Sequence, residues 1–338
     1  MGLYCGIDLH SNVSWVVVMN ELGEVVYQRK LLNELCRFMN ELEPYKDNLE
    51  SIAVESTYNW YWLVDGLQDA GYSVRLVNPA GAEQYSGLKY TDDRHDARWL
   101  AQLSRLGILP TGYIYPREQR GLRDLLRKRM RLVRQRTANL VSLQSGVERQ
   151  SGERVTTNDL KRWGEDYVES QNYDSHVKLN LKSSVKVTEV LDEQIRCIEK
   201  VVLRQAKQHP RFNWLKTVPG IGKVLAWTIL YETGPIERFA KVGHYASYCR
   251  CVGSQRLSNG KKKGQGNRKN GNADLAWAFM EAANFAIRFE PLAKKYYQRK
   301  VRTSHRVVAL KALAHKLARA SYYVMRDGVA FDPSKAFA

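Results

Sequence analysis

Two short apolar runs in this chain close on a carboxylate. Residues 3–8 read LYCGID and end at Asp8, and residues 52–55 read IAVE and end at Glu55. An acid at the end of an apolar strand is costly to bury unless something pairs with it. The runs therefore point to a sheet whose charged strand ends share a compensated site, the alternative being separate surface acids. The surrounding pattern is β-rich at first: LYCGIDLH, SWVVVMN and VVYQRKL are strands, with a turn at Glu21–Glu24 making a meander. Helical spacing follows over residues 33–47, a buried strand over 51–57, a helix over 61–71 stopped by Gly71, and a strand over 73–79 ended by Pro79. Residues 91–106 read as a helix with Ala97, Leu100, Ala101, Leu103 and Ser104 on its apolar side. This order predicts a mixed sheet flanked by helices.

That last helix carries two more acids, Asp93 and Asp96, which at i, i+3 share one face. Asp92, at i, i+4 from Asp96, is a competing member. Three or four carboxylates brought together repel one another unless divalent cations bind, and hard oxygen donors suit Mg²⁺ or Mn²⁺. Two such ions clamp the attacking and leaving oxygens of a phosphoryl displacement. Acid on strand one, acid after the meander and acids on a later helix is an order similar to that of RNase H-like nucleases.

Charge separates the chain into contrasting parts. Lys plus Arg number 53 against 35 Asp plus Glu, a net of +18, yet residues 1–116 hold 9 basic and 15 acidic residues, leaving the excess to residues 117–338. A strongly basic part invites a polyanion, most often nucleic acid. Residues 117–136 contain nine Arg/Lys and two acids beside a seam of Leu122, Leu126, Met130, Val133, Leu140 and Val147, so Arg127, Arg131 and Arg134 are candidates for phosphate contact. Residues 151–184 are weakly patterned. A second seam, Val187, Leu191, Ile195, Ile198 and Val202, can pair with the first as a coiled-coil hairpin or with another subunit. Residues 215–234 are helix, Pro-Gly-Ile-Gly turn, helix; the turn fits a helix–hairpin–helix approach to phosphate and an ordinary helix–helix turn equally. Residues 253–272 hold six Lys/Arg and no acid, and residues 273–290 and 304–326 return to helix.

Other classes are excluded or disfavoured. No run of about 18 apolar residues spans a membrane. The start of the chain has no signal-peptide pattern, and five scattered cysteines without a C-x-x-C pair argue against a disulfide scaffold or structural zinc, so a reduced cytoplasmic protein is expected.

GIDLHSN, AVEST, DDRHDARWLA, VPGIGKVLAWTIL and SNGKKKGQGNRKNGNADLAWAF, in this order over essentially the whole chain, resemble the DEDD transposases of bacterial insertion sequences. The resemblance is to the IS-one-ten family, which also includes the Piv DNA invertase, and within it to the IS-eleven-eleven branch. It implies a RuvC-like (RNase H fold) catalytic domain over 1–116, a helical, coiled-coil region over 117–208, and a mostly helical C-terminal transposase domain over 209–338. The family's metal-binding tetrad falls on Asp8, Glu55, Asp93 and Asp96. Its nucleophilic serine falls on Ser258, with Ser254 as competitor; this chain has Ser258-Asn259-Gly260 where many relatives have Ser-Gly. Lys261, Lys262, Lys263, Arg268 and Lys269 would hold backbone phosphates. The resemblance further implies donor and target DNA as substrates, a structured non-coding bridge RNA as guide, and a homo-oligomer, a tetramer on nucleic acid, with the site shared between subunits. The rival readings are a hydrolytic RuvC-like nuclease without a covalent intermediate and a non-catalytic nucleic-acid-binding protein.

Overall fold

The computed structural model describes residues 2–82, 92–206, 209–253, 256–264 and 270–337. The chain forms two compact units, residues 1–117 with 254–270, and residues 118–253 with 271–338.

In the first unit β1 (Leu3–Leu9), β2 (Val13–Asn20) and β3 (Val25–Leu32) form an antiparallel meander. Its tight turn is built by Asn20, whose Oδ1 accepts from the Leu22 and Glu24 amides, and by Gly23 at φ 88°. α1 (Leu35–Leu42), β4 (Leu49–Glu55), α2 (Tyr61–Asp69), β5 (Val74–Val77), α3 (Pro79–Ala82) and α4 (Asp93–Arg105) follow. The sheet order is β3-β2-β1-β4-β5, with β4 parallel to β1 and β5 parallel to β4. This mixed sheet with its helices is consistent with the RNase H-like fold expected.

Period-two alternation sends β1 and β4 residues to opposite faces. Cys5, Ile7 and Leu9, with Ile52 and Val54, pack against Phe38 and Leu42 of α1 and Leu63, Val64 and Leu67 of α2. The other face carries Gly6, Asp8, Ser51, Ala53 and Glu55, and α4 covers it through Leu100 and Leu103. α4 lies so close that a Cβ on Gly6 would stand 2.1 Å from the Ala97 carbonyl oxygen and 2.6 Å from the Ala101 nitrogen. The buried hydroxyls of Ser51 and Ser104 meet at 2.8 Å and fix α4 in register.

The second unit is helical. α5 (Arg117–Ser151, all but its first residue), α6 (Thr157–Leu160), α7 (Glu165–Ser170) and α8 (Ser175–Ala206) are followed by α9 (Pro210–Leu215), α10 (Lys223–Thr233), α11 (Val242–Tyr248), α12 (Ala273–Phe289), α13 (Pro291–Val301), α14 (Arg306–Asp327) and α15 (Pro333–Phe337). α5 and α8 run antiparallel within the chain. Leu126 and Leu132 share a core with Ile195, Ile198 and Val202; Leu140, Leu143 and Val147 share another with Leu181 and Val185. Arg129 to Glu199, Arg136 to Asp192, and Asn139 to Thr188 cross between them.

Three local expectations change here. The weakly patterned stretch 151–184 is folded: α6, α7 and the start of α8 bury Leu160 and Val168 against α5. Val187, expected in the seam, is exposed, because Val185 and Thr188 are the residues turned inward. In the Pro-Gly-Ile-Gly turn, Gly220 sits at φ +80° with its Cβ position 2.0 Å from the Ala282 carbonyl oxygen, so the close approach it permits is to α12. Among the described residues no helix is long and apolar enough to cross a membrane.

Candidate active site

β1 and β4 are parallel neighbours, so their C-terminal ends open at the same edge of the sheet, and their shared face brings Asp8 and Glu55 beneath the start of α4. The first turn of α4 contains Asp93 and Asp96. The four expected carboxylates therefore converge. Asp8 is 2% exposed, and its Oδ2 has no hydrogen-bond partner of acceptable geometry. Burial, then a side-chain hydrogen bond with Glu55, then the charges of Glu55, Asp96 and Asp93 push the Asp8 carboxyl up to about 8. Asp96 is raised as well, by burial and then by Glu55. A hydrogen bond between two carboxyl groups requires one of them to keep a proton, so the cluster holds its charge poorly without a cation.

A fifth member, His10, was missed from sequence. Its Nε2 lies 3.0 Å from Asp8 Oδ2 and 3.3 Å from Asp93 Oδ1. One donor atom from each of Asp8, His10 and Asp93 lies within 4.8 Å of the others. The main chain at His10 is pinned, its carbonyl accepting from Asn33 Nδ2 at 2.8 Å and Asn59 Nδ2 at 3.0 Å. The sequence signal was the Asp-x-His spacing, which puts two side chains on one side of an extended chain. The donor set, carboxylate oxygens around a buried oxygen that lacks a partner, suits a divalent cation.

Asp92 has a different employment. It is the N-cap of α4, and its Oδ1 accepts from the His95 amide at 2.7 Å, leaving Asp93 to face His10.

Ser258 ends β6 (Arg256–Ser258), which pairs with β7 (Lys261–Gly264), Ser258 standing opposite Lys261. Asn259 and Gly260, at φ 50° and 71°, form the turn. Two successive positive φ values are what a type I′ hairpin demands, and Asn-Gly is its strongest sequence signal; no strands were expected in this loop. Ser258, Lys261 and Lys263 are exposed. This hairpin groups with the first unit, where Asn78 Nδ2 donates to Asn270 Oδ1 at 3.2 Å. Ser254, Arg268, Lys269 and the Lys262 side chain lie outside the described residues.

On α5, Arg131 and Arg134 are exposed. Arg127 instead makes a bidentate pair with the buried Glu232, Nε to Oε1 at 2.6 Å and Nη2 to Oε2 at 2.8 Å. Asn272 Nδ2 donates to the same Glu232 Oε2 at 2.6 Å, and its Oδ1 caps α12.

Comparison with known proteins agrees with this geometry. Residues 5–149 match the DEDD transposase family model of IS110, and residues 213–298 match the IS116/IS110/IS902 transposase family model. The chain is 23% identical over 289 residues to the transposase for insertion sequence element IS1111A of Coxiella burnetii, covering 84% of this chain and 77% of that one. It is 23% identical over 291 residues to a probable family 20 transposase of Pseudomonas aeruginosa, covering 84% and 83%. A 43.6 kDa protein of insertion element IS110 from Streptomyces coelicolor is 26% identical over 141 residues, 41% of this chain and 35% of that protein. Sheet, carboxylates and matches define the class, an enzyme that cleaves and joins DNA. More narrowly, the two family models and the two long relatives support an insertion-sequence transposase function of the DEDD type, similar to that of the IS110/IS116 family.

Proposed function

We propose that this transposase breaks and rejoins DNA through a covalent phosphoserine on Ser258, assisted by Asp8, Glu55, Asp93 and Asp96 as holders of Mg²⁺ or Mn²⁺. The observation that carries the reading is the buried Asp8 carboxylate, whose Oδ2 makes no hydrogen bond of acceptable geometry and sits among acidic neighbours that disfavour its charge without a cation. A cation bound there would neutralise phosphate charge and stabilise the leaving oxygen. Asp8, at the end of β1, would be one of the residues that hold that cation. The Ser258 hydroxyl attacks phosphorus and loses its proton to solvent; the Oγ–P bond forms, the bond from phosphorus to the departing sugar oxygen breaks, and that oxygen takes up a proton from solvent. Rejoining is the reverse. The exposed tip position of Ser258 and the grouping of its hairpin with the carboxylate unit support this assignment.

Functionally we divide the chain into a catalytic part (1–116), a helical connection (117–208) and a serine-bearing part (209–338). Lys261, Lys262, Lys263, Arg268, Lys269, Arg131 and Arg134 serve as backbone contacts. Base pairing with a structured non-coding RNA selects donor and target DNA, as the resemblance to the insertion-sequence family implies. The working form is a tetramer assembled on nucleic acid.

The test is trapping. Wild-type enzyme, DNA carrying the element's ends and the RNA transcribed from its flank are incubated with Mg²⁺ and then denatured. A labelled protein–DNA adduct is expected, absent in Ser258→Ala and in Asp8→Ala. Cutting without adduct by Ser258→Ala would establish a hydrolytic nuclease instead, and unchanged DNA phenotypes in Asp8→Ala a binding module.

A further inference from the structure

We infer that His10 is a nitrogen ligand of the catalytic cation, and that it biases the site toward a first-row transition ion over Mg²⁺. The inference rests on the reading that Asp8 and its companions hold a divalent ion. Three observations carry it. The Nε2 separations of 3.0 Å and 3.3 Å from Asp8 Oδ2 and Asp93 Oδ1 match the cis edge, about 3.0 Å, of an octahedron with bonds of about 2.1 Å. Asp8 Oδ2 is buried and makes no hydrogen bond of acceptable geometry, and His10 Nε2 is the ionisable neighbour it has at 3.0 Å. The His10 carbonyl is held by both Asn33 and Asn59, chain segments 23 and 49 residues away. A merely exposed histidine has no need of that anchorage, whereas a ligand does.

The chemistry sets the selectivity. Mg²⁺ prefers oxygen donors and gives up water reluctantly, while imidazole is a better donor to the later first-row ions. Replacing one oxygen by Nε2 therefore favours the transition ion. The competing role for His10 is that of a counterion, an imidazolium neutralising two carboxylates. The two roles differ in sign: removing a ligand weakens cation binding, whereas removing a competing positive charge leaves it equal or tightens it.

Mn²⁺ is the probe, used with the full-length chain. Wild type is expected to show imidazole ¹⁴N modulation in the electron spin-echo of bound Mn²⁺, altered by ¹⁵N-histidine labelling. His10→Ala should abolish it and His95→Ala, the neighbouring histidine on α4, should preserve it. Mn²⁺ affinity should fall by about tenfold or more in His10→Ala, since even outer-shell changes at metal sites cost about that much. Mg²⁺ affinity, read by competition, should fall less. Absence of nitrogen modulation in wild type, or Mn²⁺ binding unchanged or tighter in His10→Ala, overturns the inference. Asp8→Asn separates it from its foundation. If that variant still binds Mn²⁺ normally, the carboxylate site itself is wrong; if it loses Mn²⁺ while His10→Ala does not, only the histidine assignment fails.

Discussion

At the scale of single residues, Asp8 concentrates the physics of the site. A solvated aspartate titrates near 3.9, whereas burial and its acidic neighbours bring Asp8 to about 8. The folded state thus holds this proton more tightly than the unfolded chain. The resulting stabilisation is complete below about pH 4 and is lost as the pH rises through about 8. Metal-free protein is expected to melt at falling temperature between pH 6 and pH 8.5, and Asp8→Asn to flatten that slope. Added Mn²⁺ should restore the wild type most at the alkaline end, because binding displaces the proton. Scanning calorimetry across this range checks it, and a melting temperature independent of pH in metal-free wild type counts against the buried, proton-sharing carboxyl. Asp8, Glu55, Asp93 and Asp96 were legible because acids at strand ends and at i, i+3 on a helix are anomalous in one dimension. His10 was not, because a lone histidine after a strand is ordinary until Asn33 and Asn59 arrive to pin its main chain.

At the scale of elements, the site depends on how closely α4 lies on β1. The contact is backbone to side-chain-free backbone at Gly6. Gly6→Ala is expected to cost about 1–3 kcal/mol by overpacking, and to weaken Mn²⁺ binding as Asp93 and Asp96 move outward with the helix. Gly121, exposed on α5 with open space where its Cβ would go, is the contrasting case. Gly121→Ala should stabilise by about 0.5–1 kcal/mol through helix propensity alone. Urea unfolding of the two variants measures both, and equal effects would show that the α4 contact is looser than described. Apolar runs and periodicity revealed β1, β2, β4, β5, α4 and α5 well, and β3 followed from the turn that joins it to β2, although it buries only Leu31. Periodicity failed for α6, α7 and α13, which are short or polar and bury only a few residues each. The β6–β7 hairpin was missed for another reason: its strands have no apolar alternation, and only Asn259-Gly260 announced it.

At the scale of the whole molecule, a charge of +18 does not say which cations are free to meet nucleic acid. Arg129 and Arg136 are tied to α8, and Arg127 to Glu232. Arg127→Ala should therefore destabilise the protein by about 2–3 kcal/mol, because it leaves a buried carboxylate without its charge partner. Arg131→Gln with Arg134→Gln should leave stability nearly unchanged. That double variant should instead weaken nucleic-acid binding and lower the slope of log affinity against log salt by about 2. Salt titrations of binding, paired with unfolding curves, separate the two groups; a slope that moves with Arg127 alone would reverse their roles.

The amino-acid sequence by itself determined the strands and helices with one apolar side, the four acids, and the contrast between an acidic front and a basic remainder. These are consequences of composition and spacing along one dimension, where hydrophobic period and local charge act directly. Only the tertiary structure decided that His10 joins the carboxylates, that Asp92 caps a helix, that Gly220 serves packing, and that Arg127 is spent on Glu232. Each depends on partners far away in sequence, and the energy of a polar or charged group is set by what lies within a few ångströms of it in space.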